Sequence, residues 1–430
     1  MKMVNRIILI GILLMLVLLP ASGKHTVSPK PRILISSDIG GTDPDDNQSM
    51  AHLLMFNERF DIEGLVSSPS FGEGSKASIL AMIDVYAKDY PVLKRHISTL
   101  KSPESLRRLC KQGRHGSSPA SGYQNATEGS DWIIQCARRQ SDRPLWILVW
   151  GGLDDLAQAL HDAPDIQSRI RVYWIGGPNK KWCVNSYAYI ATHFPDLWII
   201  ENNASYRGFI ANPKIDDEYN KGYYDQYIRG AGHLGSDFIQ YYGGLPKMGD
   251  TPALLYMMHG NPDHPDEESW GGQFRKTSFS SRVIFSGCTT DRDTVPIYSV
   301  IEFHFRGPQT SIPADTVCFT MTIDKQKWNG YYLGNGEYIV RYVPKVSARH
   351  TYTVTSGISS LNGLSGSFYT GNQWPGKHGP TDFALGANWY TDIPDANQYE
   401  NGWQGAKTVS KWRNTVLRDW AVRWGWLKDK

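Results

Sequence analysis

The chain has 430 residues, and its 45 Lys and Arg residues nearly balance its 42 Asp and Glu residues, giving a formal net charge of +3. Both signs are spread along the sequence, so there is no basic footprint of the kind that binds nucleic acid. Five cysteines without metal-type spacing exclude a fold built on disulfides, although one or two bridges could form. The 15 Trp and 23 Tyr residues are many for this length; such side chains line sugar-binding clefts but more often fill cores.

The N-terminus predicts an export signal. Residues 1–6 are basic, residues 7–19 form an apolar run too short to span a bilayer comfortably, and the small residues Ala21 and Gly23 follow. No cysteine follows the run, which argues against a lipid-anchored form. We therefore expect residues 1–23 to be a cleaved signal peptide. The mature protein is then secreted or periplasmic, with no membrane contact after cleavage.

Four aspartates stand within nine residues, directly after the first predicted strand. Residues 33–35 are apolar, the predicted strand ends at Ser36, and Asp38 lies just past its end. Asp43 then precedes a proline, and Asp45 and Asp46 complete a sequence typical of a helix start with Asp43 at the N-cap. Capping explains Asp43 and one of the next two acids, but not Asp38 as well. Because four carboxylates repel one another without a cation or a shared proton, the group predicts a metal-binding or catalytic site.

Up to about residue 275, short apolar strands alternate with helical patterns. This alternation predicts βαβ units, and hence an α/β domain with a mainly parallel sheet and flanking helices. Ligands bind outside the carboxyl ends of the strands in such sheets. The predicted strands are 33–36, 62–67, 145–150, 172–175 and 197–200, and the predicted helices are 48–57, 76–89, 130–140 and 154–162.

From about residue 277 the pattern changes to short alternating strands separated by turn residues. It predicts an all-β sandwich of immunoglobulin-like size. Near the C-terminus, Val409, Val416 and Trp420 recur at roughly helical spacing, so we expect an amphipathic helix that packs back on the first domain. The β-domain would then be an insertion. The predicted divisions are a signal peptide (1–23), an α/β domain (24–276), a β-sandwich (277–381) and a C-terminal segment (382–430).

Several separated motifs resemble the nucleoside hydrolase superfamily, and most closely its secreted branch, sometimes labelled cellulose-binding. Asp45 and Asp46 match the paired acids that start a helix in that family. The strand ending at Trp150, followed by two glycines and a polar helix start, resembles a second signature. Residues 249–252 resemble a late helix start that supplies a metal ligand, and the sequence around Trp270 resembles the secreted branch in particular. The β-region resembles immunoglobulin-like domains found beside catalytic modules in some polysaccharide-degrading enzymes.

The resemblance implies a Ca²⁺ site. Its ligands would be the carboxylates of Asp38, Asp46 and Asp250 and a backbone carbonyl near Trp150, with two vicinal sugar hydroxyls and one water. Asp38 would also accept the water proton as general base, and Asp45 would hydrogen-bond a sugar hydroxyl. The cation would orient the water and lower its pKa. Site, cofactor and mechanism are all expectations that the resemblance supplies.

This chain also departs from the family pattern. The family loop between the first Asp and the acid pair is shorter, so Asp38 and Asp43 compete for the catalytic role; we favour Asp38 because the strand end fixes it. The family's His beside the late Asp is replaced by Gly249, so no general acid is identified. The candidate substrate contacts, besides Asp45, are Asn179, Asn185, Asn202 and Trp270.

These features predict a secreted Ca²⁺-dependent glycoside hydrolase that cleaves a glycosidic bond of a furanose-like or glycan-derived sugar. A glycan-derived substrate is favoured because an exported enzyme meets more polysaccharide than free nucleoside. Three alternatives stay open: a non-catalytic carbohydrate-binding protein, a true N-ribosyl nucleoside hydrolase, and an exported protein that uses Ca²⁺ only for stability. The expected partner is a carbohydrate and not a nucleic acid, and homo-oligomerisation is left open.

Overall fold

A computed structural model gives the fold over residues 30–371 and 374–428. The predicted signal peptide lies outside these described residues. Within them, no helix combines the length and the apolar character needed to cross a membrane. The strands are β1 (Arg32–Ser37), β2 (Asp61–Ser67), β3 (Cys110–Gln112), β4 (Leu145–Val149), β5 (Ile170–Ile175), β6 (Ile199–Asn202), β7 (Phe274–Lys276), β8 (Phe279–Ser280), β9 (Arg282–Ser286), β10 (Thr294–Pro296), β11 (Val300–Arg306), β12 (Val317–Ile323), β13 (Gln326–Gly334), β14 (Glu337–Tyr342), β15 (Arg349–Ser356), β16 (Ser365–Gly371), β17 (Phe383–Ala384) and β18 (Trp389–Asp392).

The first large sheet has the order β3-β2-β1-β4-β5-β6-β18-β7 over the described residues. Its neighbours run parallel except for β7, which is antiparallel to β18 at one edge. Strands β2 and β3 extend from β1 to one side, whereas β4, β5 and β6 extend to the other. Ser36 of β1 pairs with Val149 of β4, so the loops that leave these two strands begin side by side. The crevice outside such a reversal of strand order is the usual ligand site of open α/β sheets.

Helices cover both faces of this sheet. All residues of β1 and β4 are buried, as expected for central parallel strands. Ile33 and Ile35 belong to the hydrophobic core on one face, and Leu34 belongs to the core on the other. The structure therefore confirms the predicted mainly parallel α/β architecture. The helices are α1 (Asp45–Met55), α2 (Lys76–His96), α3 (Pro103–Arg107), α4 (Glu128–Ala137), α5 (Asp154–Asp162), α6 (Gly177–Trp182), α7 (Val184–His193), α8 (Gly232–Phe238), α9 (Thr251–Met258) and α10 (Lys407–Trp426).

The second large sheet has the order β10-β16-β15-β12-β13-β14-β11-β9 and is mostly antiparallel, with a parallel pair at each edge. Buried and exposed residues alternate along β12 and β15, so one face of each strand points inward. Phe303, Met321, Val340 and Phe368 are among the residues that form its core. This separate β-region agrees with the predicted β-sandwich, while the exact domain boundaries remain predictions. The five cysteines are free, so no disulfide supports either sheet.

After the second sheet the chain returns to the first. Strand β18 lies between β6 and β7, and helix α10 places Trp420 and Trp424 in the same core as Ile33 of β1. Arg423 of α10 pairs with Glu58 at 2.6 Å, with both side chains largely buried. The α/β part is therefore built from segments on both sides of the second sheet.

The two sheets also pack against each other directly. Tyr298 and Trp374, which flank the second sheet, share a buried cluster with Tyr187 of α7. Arg341 of β14 donates a hydrogen bond to the Ala120 carbonyl at 2.7 Å. These contacts hold the second sheet beside the loops at the carboxyl ends of the parallel strands, where the candidate site lies.

Candidate functional site

A cleft of about 410 Å³ opens at the carboxyl ends of β1 and β4, where the strand order reverses. The loops after β1 and β2, helix α6, the turn after β6 and the loop before α9 form most of its walls. A larger cavity, about 910 Å³, lies at the opposite end, where β1, β4 and β5 begin. The cleft, and not the larger cavity, contains the group of metal-ligating side chains found in the described residues. The cleft is lined by Asp38, Thr42, Asp43, Asp45, Asp46, Ser70, Phe71, Trp150, Ile175, Pro178, Asn179, Trp182, Tyr206, Arg207, Ile210, Lys247, Gly249, Asp250, Gln326 and Lys345.

Three carboxylates meet at the floor of this cleft. Asp45, Asp46 and Asp250, hereafter the acid cluster, each offer an oxygen within 4.8 Å of the others. Ser37 donates to Oδ1 of Asp46 at 2.5 Å, and the Gly249 amide donates to Oδ2 of Asp45 at 3.2 Å. Oδ2 of Asp250 is buried and has no hydrogen-bond partner in the described part of the chain. A buried carboxylate oxygen without a donor, facing two further carboxylates, fits a hard cation such as Ca²⁺.

Burial controls the protonation of the cluster. Burial, followed by the charge of Asp43, raises the pKa of Asp45 to about 7. Burial and the charge of Asp250 raise the pKa of Asp46 well above its ordinary value, and burial and the charge of Asp45 do the same for the pKa of Asp250. Burial and mutual repulsion therefore favour the protonated forms of these carboxylates, so a cation bound here would displace protons.

Asp38 lies beside the acid cluster, one residue beyond the end of β1. Burial raises the pKa of Asp38 to about 6, although a hydrogen bond with the Asp46 side chain lowers it. A Cβ atom at position 151 would lie 2.8 Å from Cβ of Asp38, so the glycine after β4 gives Asp38 its room. A carboxylate with a pKa near the working pH is suited to act as a general base.

Trp150 and Asn179 both line the cleft. The backbone carbonyl of Trp150, predicted as a metal ligand, accepts a hydrogen bond from Nδ2 of Asn179 at 3.2 Å. Nδ2 of Asn179 also donates to the Ile175 carbonyl at 3.0 Å, and Oδ1 accepts from Ser70 at 2.5 Å. Both amide hydrogens of Asn179 are therefore engaged. Asn179 fixes the Trp150 carbonyl and leaves only a lone pair of its oxygen for a ligand.

Three predicted substrate contacts lie outside the cleft. Asn185 uses its amide to join the Ser118 carbonyl, at 3.0 Å, to Arg341 of the second sheet. Asn202 is fully buried and donates to the Tyr173 hydroxyl at 2.9 Å. Trp270 stacks on His259, with ring centroids 4.8 Å apart. These side chains pack and hydrogen-bond within the fold and do not line the cleft, so the structure does not bring them together with the acid cluster.

Asp43 also differs from its predicted role as a helix cap. Helix α1 begins at Asp45 and has no side-chain cap, with Pro44 at the N-cap position. Asp43 is exposed on the cleft wall and forms an ion pair with Nζ of Lys247. Helix α1 therefore starts one residue later than the sequence pattern predicts, at Asp45 and not at Pro44.

Several residues that line the cleft were not predicted from the sequence, because no motif marks them. Tyr206 and Arg207 lie in the turn after β6, and Lys247 lies three residues before Asp250. Gln326 and Lys345 come from the second sheet, which reaches the cleft only through tertiary packing. Burial raises the pKa of Tyr206 to about 12, so its hydroxyl stays protonated beside the acids.

Two sequence families match the chain. Residues 32–274, more than half of the 430 residues, match the family described as cellulose-binding Sde182, nucleoside hydrolase-like domain. Residues 294–357 match a domain of unknown function, DUF5060. No curated protein sequence gives a match. The first match confirms the resemblance predicted from the motifs.

Solved structures offer more distant similarities. A nucleoside hydrolase-related hypothetical protein from Saccharophagus degradans, associated with carbohydrate metabolism, is 18% identical with a TM-score of 0.48, over 80% of this chain and 99% of its own. An inosine-uridine preferring nucleoside hydrolase from Bacillus anthracis is 15% identical with a TM-score of 0.39, over 59% and 87%. A purine-preferring ribonucleoside hydrolase from Gardnerella vaginalis is 13% identical with a TM-score of 0.37, over 58% and 84%.

Proposed function

The chain belongs to the Sde182 nucleoside-hydrolase-like family, and from this premise we propose that it hydrolyses a glycosidic bond in a carbohydrate substrate with the help of Ca²⁺. The observation that carries the proposal is the acid cluster, with Asp38 beside it, at the switch point of the sheet. Burying several carboxylates together costs stability, and such perturbed groups concentrate at functional sites. Export is part of the proposal and is based on residues 1–23.

The residues proposed to hold the cation are Asp45, Asp46 and Asp250, with the carbonyl of Trp150. This set includes Asp45, which the sequence did not assign to the metal, because its carboxylate lies with those of Asp46 and Asp250. Bound Ca²⁺ would supply Lewis-acid activation of water and would hold vicinal sugar hydroxyls. Asp38, next to this set, then remains available for proton transfer.

Asp38 is the proposed general base. With a pKa of about 6, which its burial produces, Asp38 is ionised at neutral pH yet basic enough to accept a proton from an attacking water. Cleavage of a glycosidic bond builds positive charge on the sugar ring, and the carboxylates of Asp38 and Asp45 stabilise that charge. In this proposal the remaining lone pair of Asn179 Oδ1 accepts a hydrogen bond from a sugar hydroxyl.

A carbohydrate-binding protein without catalysis is the second candidate. The family description includes cellulose binding, and Gly249 stands where the resemblance implies a catalytic His. A Cβ atom at position 249 would lie 2.5 Å from Oδ2 of Asp45, so a side chain there would require the Asp45 carboxylate to shift. A binding protein would need the cation and the sugar contacts, but not the base.

Turnover and binding assays separate the two candidates. The purified chain would be incubated with aryl furanosides, nucleosides and oligosaccharides in CaCl₂ or in EDTA, while sugar release and heat of binding are measured. Ca²⁺-dependent release that Asp38→Asn abolishes, with binding retained, supports the hydrolase. Ca²⁺-dependent binding without release of any sugar supports the binding protein. A melting temperature and a ligand affinity that Ca²⁺ does not change would contradict the proposed metal site.

A further inference from the structure

Three cationic side chains line the outer part of the cleft: Arg207, Lys247 and Lys345. Lys247 pairs with Asp43, whereas Arg207 and Lys345 form no ion pair with any residue in the described ranges. Burial, followed by the charges of Arg207 and Lys247, lowers the pKa of Lys345, so the three cations are close enough to repel one another. The charge of Asp43 raises the pKa of Lys345 in turn, but within the described ranges neither Lys345 nor Arg207 forms an ion pair with a cleft carboxylate. Both cations therefore keep hydrogen-bond donors for an anionic ligand.

Arg207 is held in one orientation by aromatic rings. Its guanidinium carbon lies 3.8 Å from the ring centroid of Trp403 and 5.3 Å from that of Tyr206. Its Nε atom is buried and has no acceptor in the part of the chain that the structure describes. A stacked guanidinium keeps its donors in a fixed plane, the arrangement that binds carboxylate or phosphate oxygens at two points.

The cleft extends past the acid cluster to the second sheet. Lys345 follows β14, and Gln326 begins β13. Phe71 and Trp182 line the same cleft; Phe71 stacks on Trp182 with ring centroids 4.3 Å apart, and Trp182 stacks in turn on Trp328 at 4.7 Å. Phe71 is 49% exposed, so a ring face of this stack is open to a ligand. An exposed aromatic face beside cations suits a ring that carries an anionic substituent.

We propose that the leaving-group portion of the substrate is anionic, and that Arg207 and Lys345 bind its oxyanion while Phe71 contacts its ring. This inference rests on the proposed function, because it assigns the acid cluster to the sugar that is cleaved from the leaving group. The ligand chemistry is a carboxylate, as in a uronic acid, or a phosphate. The loop after β14 thus contributes a specificity residue, Lys345, to a site whose proposed metal ligands all lie in the α/β part.

Matched ligands that differ only in the charge of one ring substituent would test the proposal. The Ca²⁺-loaded full chain would be titrated at low salt with the 4-carbamoylphenyl, 4-carboxyphenyl and 4-phosphonophenyl β-ribofuranosides, and affinities would be measured by calorimetry. An oxyanion should bind about tenfold more tightly than the uncharged amide, with a preference that falls as salt rises. Lys345→Gln should remove most of this preference and leave the affinity for the amide unchanged. Lys327→Gln, an exposed lysine on β13 outside the cleft lining, is the control and should change neither.

The outcomes separate this inference from the proposed function. Equal affinities for charged and uncharged ligands, or a preference that Lys345→Gln leaves intact, would overturn the inference, as would failure to bind any of the three. Comparison of the carboxyl and phosphono compounds identifies which oxyanion is preferred. Binding preference without hydrolysis supports the oxyanion contacts of Arg207 and Lys345, but it removes the hydrolase proposal and with it the assignment of the oxyanion to a leaving group. Hydrolysis without any charge preference does the reverse.

Discussion

Replacing Asp38 with Asn should change how stability depends on pH in the absence of divalent cations. Burial raises the pKa of Asp38 from 3.8 to about 6, so the folded chain holds this proton more tightly than the unfolded chain does. The resulting stabilisation is complete below pH 3.8 and is lost as pH rises through 6. The difference of about two pKa units corresponds to about 3 kcal/mol of unfolding free energy. Asn does not titrate, so the variant should lack this loss.

Urea unfolding in EDTA would measure this effect. The unfolding free energies of wild type and Asp38→Asn would be compared at pH 4 and at pH 8, which cancels the titrating groups that do not interact with Asp38. The variant should gain about 2 kcal/mol relative to wild type between these pH values, because part of the stabilisation is already lost at pH 4. In CaCl₂, wild type should be stabilised increasingly as pH rises, because the cation replaces protons on the acid cluster. A difference between variant and wild type that stays constant with pH in EDTA would refute the assignment of Asp38 to a site that resists ionisation.

Three further changes test other parts of the structure. Asp38→Asn should lower turnover on any cleaved glycoside by about 10²–10⁴-fold. Asp43→Asn should leave the rate nearly unchanged, because Asp43 is exposed at the cleft wall. The reverse result in a rate assay would show that Asp38 is not the base. Burial of His52, followed by the charge of Arg423, lowers the pKa of this histidine to about 3. The neutral imidazole therefore contributes stability that is present above pH 6.5 and is lost as pH falls through 3. His52→Phe should therefore weaken acid unfolding, and an unchanged acid transition followed by circular dichroism would contradict this. Trp420→Ala should cost about 3–5 kcal/mol in urea unfolding, because the ring is fully buried against His52; a loss below 1 kcal/mol would show that α10 is not part of the core.

The fold was accessible from the sequence wherever local pattern and tertiary environment agree. The predicted strand 33–36 lies in a strand buried on both faces, and helix 154–162 was predicted with the bounds that the structure has. Helix α2 runs on to His96, well past the predicted end at residue 89, even though it contains Pro91. Tertiary packing outweighs local breaking signals in this helix.

The site was accessible only in part. Asp38, Asp46 and Asp250 follow strand ends or start helices, so sequence motifs place them at one edge of the sheet. Asn185 and Asn179 have the same side chain, so the sequence does not distinguish their roles. Only the folded chain shows that the Asn185 amide hydrogen-bonds with the Ser118 carbonyl and with Arg341. Lys345 reaches the cleft from a different sheet, and no local pattern encodes a contact that depends on how two sheets pack.

The position of β18 has a consequence for how the protein is made. Strand β18 separates β6 from β7, yet it is synthesised after the entire second sheet. On the ribosome, β7 emerges more than a hundred residues before the neighbour that joins it to the parallel sheet. Until then the outer edge of β6 is open, and exposed strand edges are sites of wrong pairing. The second sheet must therefore fold compactly enough to return its two ends to adjacent positions, which makes it a closing element of the first sheet and not a removable attachment.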